Sequence, residues 1–224
     1  MNKKQLFFRA TTKLISGFVV IGALLFLPAG TWHYWQAWLF ILLLMVPMLF
    51  VGILLLKKSP ELLMKRLNSK EQEAKQKVVV VFSALMFVCS FLLAGFDHRY
   101  GWSGLPTWFV VVASIVMLCG YGLYAEVMME NAFLSRTVEI QNEQKVISTG
   151  LYGIVRHPMY AATLVLYLSM PLVLGSWIAL LPMLFYPIII RKRILNEEQV
   201  LSIGLEGYTE YMQQVKYRLI PFIW

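Results

Sequence analysis

The stretch WQAWLFILLLMVPMLFVGILLL, residues 35–56, carries no charged side chain over its whole length. As an α-helix rising about 1.5 Å per residue it reaches across the roughly 30 Å hydrocarbon core of a bilayer. Five more apolar segments follow the same logic, at roughly Leu14–Ala29, Val78–Gly95, Thr107–Met128, Met159–Leu174 and Trp177–Ile190. Thr107–Met128 also spans comfortably, whereas the last two are short. They are joined only by Gly175 and Ser176 and read as a tight hairpin, kinked by Pro171, Pro182 and Pro187; membrane helices tolerate such prolines. Only 14% of the 224 residues are charged, against about 25% in soluble domains. The charges cluster between the apolar runs, which argues against a soluble all-α protein. The expected fold is all-α and polytopic, with about six transmembrane helices and C-terminal helices emerging into the cytosol. Lys3, Lys4, Arg9 and Lys13 before the first segment imitate a signal peptide. No small-x-small cleavage site follows, so this segment too is expected to stay as a membrane helix.

Charge supplies an orientation. With the N-terminus inside, the inner loops and tails hold nineteen of the twenty Lys and Arg, and Arg99 alone falls outside. So one-sided a distribution places both termini in the cytoplasm. The net charge of +8 is then explained by anionic lipid headgroups and needs no nucleic acid. Lys57–Lys77 suggests an interfacial amphipathic helix with Leu62, Leu63 and Leu67 on one side; a solvated loop is the alternative. Cys89 and Cys119 lie inside apolar segments and read as small packed hydrophobes. Three scattered histidines offer no metal cluster. His33 and His98 sit in short aromatic outer loops, as interfacial residues. No repeat or linker divides residues 1–224, so a single membrane-embedded domain is expected.

The inner face also holds eleven of the twelve acidic residues, which a merely topological excess of positive charge does not require. Within GLYGIVRHPMY, residues 150–160, the proline forces His157 out of helical geometry, and Pro158 suits a helix's first turn. Arg156 and His157 thus precede a helix N-terminus, which favours an anion. Two readings stand here: a carboxylate or phosphate site, or a topological arginine with a bystander histidine. In RKRILNEEQVLSIGLEGYTEYMQQVKYRLIPFIW, from Arg191 onward, Arg193 and Glu197 lie one turn apart. They form either a plain surface pair or a site in which Arg193 fixes an anion while Glu197 or Glu198 accepts hydrogen bonds. Gly204 and Gly207 interrupt that helix before Tyr208 and Tyr211, and LIPFIW returns to the interface. Between these stretches, Thr137–Gln141 alternates like a strand, in a loop that either covers a ligand or merely connects.

The two motifs GLYGIVRHPMYAA and RILNEEQVL…GLEGYTEYMQQVKYRLIPFIW, in that order and on one face, resemble the isoprenylcysteine carboxyl methyltransferase family and its wider group of phospholipid N-methyltransferases. The resemblance covers about residues 120–224. Ala162 departs from the family's frequent glycine at that position, implying altered packing. The resemblance implies an integral-membrane enzyme that uses S-adenosylmethionine (SAM) at the cytosolic face and takes a lipophilic or prenylated acceptor from the bilayer, without metal. Carried over by position, it puts Tyr152, His157, Pro158, Tyr160, Glu197 and Glu198 at the cofactor. It gives Arg156, Arg193 and Glu197 the catalytic mouth, with the arginines on an acceptor carboxylate. SAM's ammonium suits a glutamate and its sulfonium suits tyrosine faces. A phospholipid amine is the alternative acceptor, and an NADPH-dependent sterol-type reductase is the alternative activity.

Overall fold

The computed structural model describes residues 3–67, 74–134 and 140–224. The described residues form the helices α1 (Lys3–Ala29), α2 (Trp35–Lys58), α3 (Pro60–Leu67), α4 (Ala74–Tyr100), α5 (Thr107–Glu130), α6 (Pro158–Val173), α7 (Leu180–Met183), α8 (Tyr186–Gly204) and α9 (Tyr208–Gln214). Among them α1, α2, α4 and α5 are long and apolar enough to cross a membrane, and α6 is a shorter apolar helix. The chain is a polytopic, all-helical membrane protein.

The turns sort to two ends. At one end the Tyr34 hydroxyl donates to the Leu174 carbonyl at 2.7 Å, and Leu105 N–H donates to the Gly175 carbonyl at 3.3 Å. The buried Asp97 carboxylate accepts from Ser103 N–H at 2.6 Å and from the Ser103 and Ser176 hydroxyls. The tip of the last hairpin therefore meets the turns that follow α1 and α4. At the opposite, basic end Arg66 of α3 reaches the Met159 sulfur at 3.8 Å, at the start of α6. The hairpin runs the length of the bundle.

Helices in lipid gain little from burying apolar surface and depend on close packing. Gly95 shows how close: a Cβ there would stand 2.6 Å from the Leu25 carbonyl oxygen, across the α1–α4 contact. α5 packs chiefly on α6, and the central core runs from Phe40, Phe91 and Met117 to Leu166 and Met170.

Three expectations change. The segment Trp177–Ile190 is not one helix. Around Pro182 and Pro187 it breaks into α7 and the start of α8, with turn hydrogen bonds from Leu184 and Phe185 between them. The amphipathic helix occupies only Pro60–Leu67 of the described residues, with Leu62 and Leu63 buried, while Lys75 and Lys77 belong to α4. Cys89 and Cys119 are exposed on the helix surfaces rather than packed inside. A small, weakly polar thiol is as acceptable to lipid as to a core, so apolar surroundings in sequence did not decide between them. Arg136 and residues 137–139 of the strand-like stretch lie outside the described residues; Ile140 and Gln141 are irregular.

Candidate active site at the basic end of the bundle

The motif stretch begins with a tight 3-10 turn over Gly150–Gly153. Gly150 has φ +51°, and a Cβ there would meet the Glu130 carboxylate at 2.8 Å, so both backbone and space ask for glycine. Beyond the turn the chain extends, with His157 at φ −126°, as the following proline dictates. Arg156 and His157 donate their main-chain N–H groups to the Tyr217 and Arg218 carbonyls, both at 2.9 Å. The C-terminal segment is thus laid alongside the motif. These bonds alter the helix N-terminus. Pro158 has no N–H, and Tyr160 N–H donates to the His157 carbonyl. Met159 N–H is left without a partner among the described residues.

Behind the motif lies a buried ion cluster. Arg156 Nε donates to Glu198 Oε1 at 2.8 Å, and Arg218 Nε donates to Glu198 Oε2 at 2.8 Å. His157 Nε2 lies 3.3 Å from Glu198 Oε1. Arg156 Nη1 donates to the Val215 and Lys216 carbonyls at 2.7 and 3.0 Å. Burial would push the Glu198 carboxyl up, but the hydrogen bonds from His157, Arg156 and Arg218 prevail and bring it down to about 2. Paired and hydrogen-bonded in this way, charges can be kept inside a protein.

One residue earlier, α8 turns a different face. Glu197 Oε2 accepts from the Tyr160 hydroxyl at 2.5 Å. That hydroxyl accepts from Arg193 Nε at 2.8 Å, and Arg193 Nη1 donates to Gln76 Oε1 of α4 at 3.1 Å. Glu197 Oε1 has no partner among the described residues.

Glu197 helps line a cleft that opens to solvent. Tyr152, Tyr160, Tyr208 and Tyr211 supply aromatic walls, with Arg156, His157 and Met159 between them and Lys145 on the loop side. Tyr152 accepts a hydrogen bond from Asn131 Nδ2 at 2.9 Å, and its carbonyl accepts from the Tyr211 hydroxyl at 2.7 Å. Burial pushes the Tyr152 phenol up to about 12, against the pull of the Asn131 bond. Burial likewise raises Tyr208 and Tyr211. All three remain phenols, able to donate, at neutral pH.

The structure therefore brings Arg156, His157, Tyr152, Tyr160 and Glu197 to one cleft. Pro158 starts the helix beneath it. Glu198 is not among the lining residues, because three cationic-capable side chains enclose it. Neither is Arg193, which stands behind the Tyr160 ring with its guanidinium 5.9 Å from the ring centroid. Sequence reasoning did not select Gln76, Asn131 or Arg218, nor Tyr208 and Tyr211 as walls. The last two, three apart after a helix-breaking glycine pair, carried a usable signal. Gln76 sat in the Lys57–Lys77 stretch, read as an interfacial amphipathic helix rather than as part of a spanning one.

Comparison with known proteins bears on the same region. Residues 111–203 match the family model of the isoprenylcysteine carboxyl methyltransferase (ICMT) family. The chain is 26% identical over 91 residues to the mouse Delta(14)-sterol reductase TM7SF2, a match that takes in 39% of this chain and 22% of the reductase. The chain thus spans less than a quarter of that relative's length. Structural superposition on the eukaryotic intramembrane Ras methyltransferase ICMT covers all of this chain and 88% of that one, at 15% identity and a TM-score of 0.50. Likeness at that level concerns the fold.

Proposed function

We propose that this chain, whose residues 111–203 fall within the isoprenylcysteine carboxyl methyltransferase family, is a membrane-embedded methyltransferase using S-adenosylmethionine on a lipophilic acceptor. The observation that carries this reading is the convergence of the 150–160 and 197–211 stretches on one open cleft at the basic end. The residues present fit the cofactor. Glu197, with one oxygen unclaimed, meets the ammonium, and His157 with Met159 N–H meets the carboxylate. Tyrosine faces accept the sulfonium. When bound, SAM supplies an activated methyl group. The protein's own contribution is to hold donor and acceptor in line and to keep water out, through the tyrosine walls and the loop bearing Lys145.

For the acceptor, a carboxylate at the end of an isoprenoid chain fits first. It is already a nucleophile at neutral pH, so no residue here has to remove a proton from it. Arg156 lines the cleft, and its Nη2 has no partner among the described residues, leaving that group for the carboxylate. Arg193 acts on Tyr160 rather than on the acceptor. A second reading, methylation of a phospholipid amine, draws on the heavy commitment of both arginines within the protein. An amine needs a base, and His157 or Glu197 would provide it. The match to a sterol reductase keeps NADPH as the competing cofactor.

The excess of Lys and Arg at this end supports a cytosolic cleft, on the side where SAM is dissolved, and a cysteine introduced by Lys145→Cys is expected to react only from that side. The deciding experiment is transfer of labelled methyl from SAM into a lipid extract by purified protein, with the product identified by mass. A methyl ester supports the first reading and a methylated amine the second. Binding of NADPH without SAM removes both.

A further inference from the structure

The N-terminal half of the chain contains none of the motif residues, yet one of its buried polar side chains is bonded to the site's hydrogen-bond line. Gln76, in the first turn of α4, is fully buried. Its Oε1 accepts from Arg193 Nη1 at 3.1 Å, and its Nε2 faces the Arg193 carbonyl at 3.4 Å. One side chain thus holds both the head and the main chain of Arg193. From Arg193 the line continues through Nε to the Tyr160 hydroxyl at 2.8 Å and on to Glu197 Oε2 at 2.5 Å.

We infer that Gln76 is a positioning residue for the methyl-donor pocket, fixing the Glu197 carboxylate at the cleft wall through Arg193 and Tyr160. The inference rests on the methyltransferase reading above and extends it to the other half of the chain. The directions of the bonds matter. The Tyr160 hydroxyl owns one proton and accepts one from Arg193, so that proton is committed to Glu197. A carboxylate held by one oxygen then turns the other, Oε1, to the cleft, where the donor's ammonium would meet it. A polar group buried this completely is costly unless its partners are fixed, so the amide also fixes how far α4 stands from α8.

The test is SAM binding by calorimetry, with separate Michaelis constants for SAM and for a synthetic isoprenylcysteine acceptor, on detergent-purified Gln76→Met and Gln76→Glu. Gln76→Met keeps the length but loses both polar atoms; it should weaken SAM binding about three- to five-fold, no more than the loss of one hydrogen bond along the line. The acceptor's constant should change by less than about two-fold, within the range of a site that keeps its contacts. Gln76→Glu retains the acceptor oxygen facing Nη1 and should recover most of the lost affinity. If Gln76→Met does not accumulate, Gln76→Asn, whose amide is too short to reach Arg193, must show the same selective loss. Unchanged SAM binding overturns the inference. So does an equal loss for both substrates that Gln76→Glu fails to repair, which would mark a purely structural residue. Failure of the wild-type protein to bind SAM overturns the methyltransferase reading instead, and this inference with it.

Discussion

Glu197 and Glu198 are neighbours in sequence and live in different environments. Glu198 is buried and enclosed by Arg156, Arg218 and His157. Glu197 lines an open cleft, with a single tyrosine bond to one oxygen among the described residues. Successive residues on a helix point about 100° apart, so consecutive carboxylates on α8 must serve different neighbourhoods. One belongs to the frame that clamps the C-terminal segment onto the motif, and the other to the wall that meets solutes. The pairing teaches that an acidic doublet near a basic motif is not a doublet of ligands.

The largest expected effect tests the frame. Glu198→Gln leaves Arg156, which is 7% exposed, beside Arg218 without a counter-charge. Breaking a buried pair on one side typically costs about 3–5 kcal/mol. The variant should lose most of its thermal and denaturant resistance in detergent, or fail to accumulate. Near-wild-type stability would place Glu198 with Glu197 as a cleft residue and dissolve the contrast.

The second effect tests the wall. Glu197→Gln should keep stability nearly intact, because its partner Tyr160 can donate to an amide oxygen as well. It should weaken SAM binding by roughly ten-fold or more, as expected where a charge-assisted contact becomes neutral. His157→Ala should weaken SAM binding as well, but it also strips one partner from Glu198. Its loss of affinity should therefore come with a loss of stability that Glu197→Gln lacks. Calorimetry and thermal melts on the same preparations separate the two.

Much of the frame was legible beforehand. Apolar run length and charge placement gave six segments and two unlike ends, because membrane insertion acts on those same quantities. The extended His157 followed from one proline. What stayed hidden was partner choice. Sequence spacing put Arg193 and Glu197 on one face, but it could not show that Tyr160 would stand between Arg193 and the cleft. Gln76 was invisible because the Lys57–Lys77 stretch around it read as an interfacial amphipathic helix outside the spanning segments, whereas α4 begins at Ala74. Arg218, at a distance of 20 residues in sequence, joins Glu198 only because main-chain bonds lay the final segment against the motif, and no side-chain pattern announces those.

A third effect comes from pH. The Glu198 carboxyl sits at about 2 in the folded protein, against about 4.3 for an unperturbed glutamate. Its stabilisation is present in full above the unfolded value and is lost as pH falls from about 4.3 toward 2. Melting temperature in detergent should therefore decline across that window. In Glu198→Gln, if enough protein accumulates, that part of the decline should be missing. A variant that reproduces the wild-type acid profile would show that other carboxylates produce it.

The smallest effect probes the border between frame and wall. Tyr160→Phe removes the hydroxyl that joins Arg193 to Glu197 and leaves the ring that lines the cleft. The aromatic surface offered to a sulfonium is unchanged, so only carboxylate orientation should suffer. One lost hydrogen bond amounts to about 1 kcal/mol, so SAM affinity should fall about five-fold, less than in Glu197→Gln because the carboxylate itself survives. The loss should not add to that of Glu197→Gln, since residues in one network are coupled. Calorimetry on the double variant decides the matter: additive losses would mean that Tyr160 and Glu197 contact the donor independently, and the hydrogen-bond line from Gln76 would then end at Tyr160 without setting the wall.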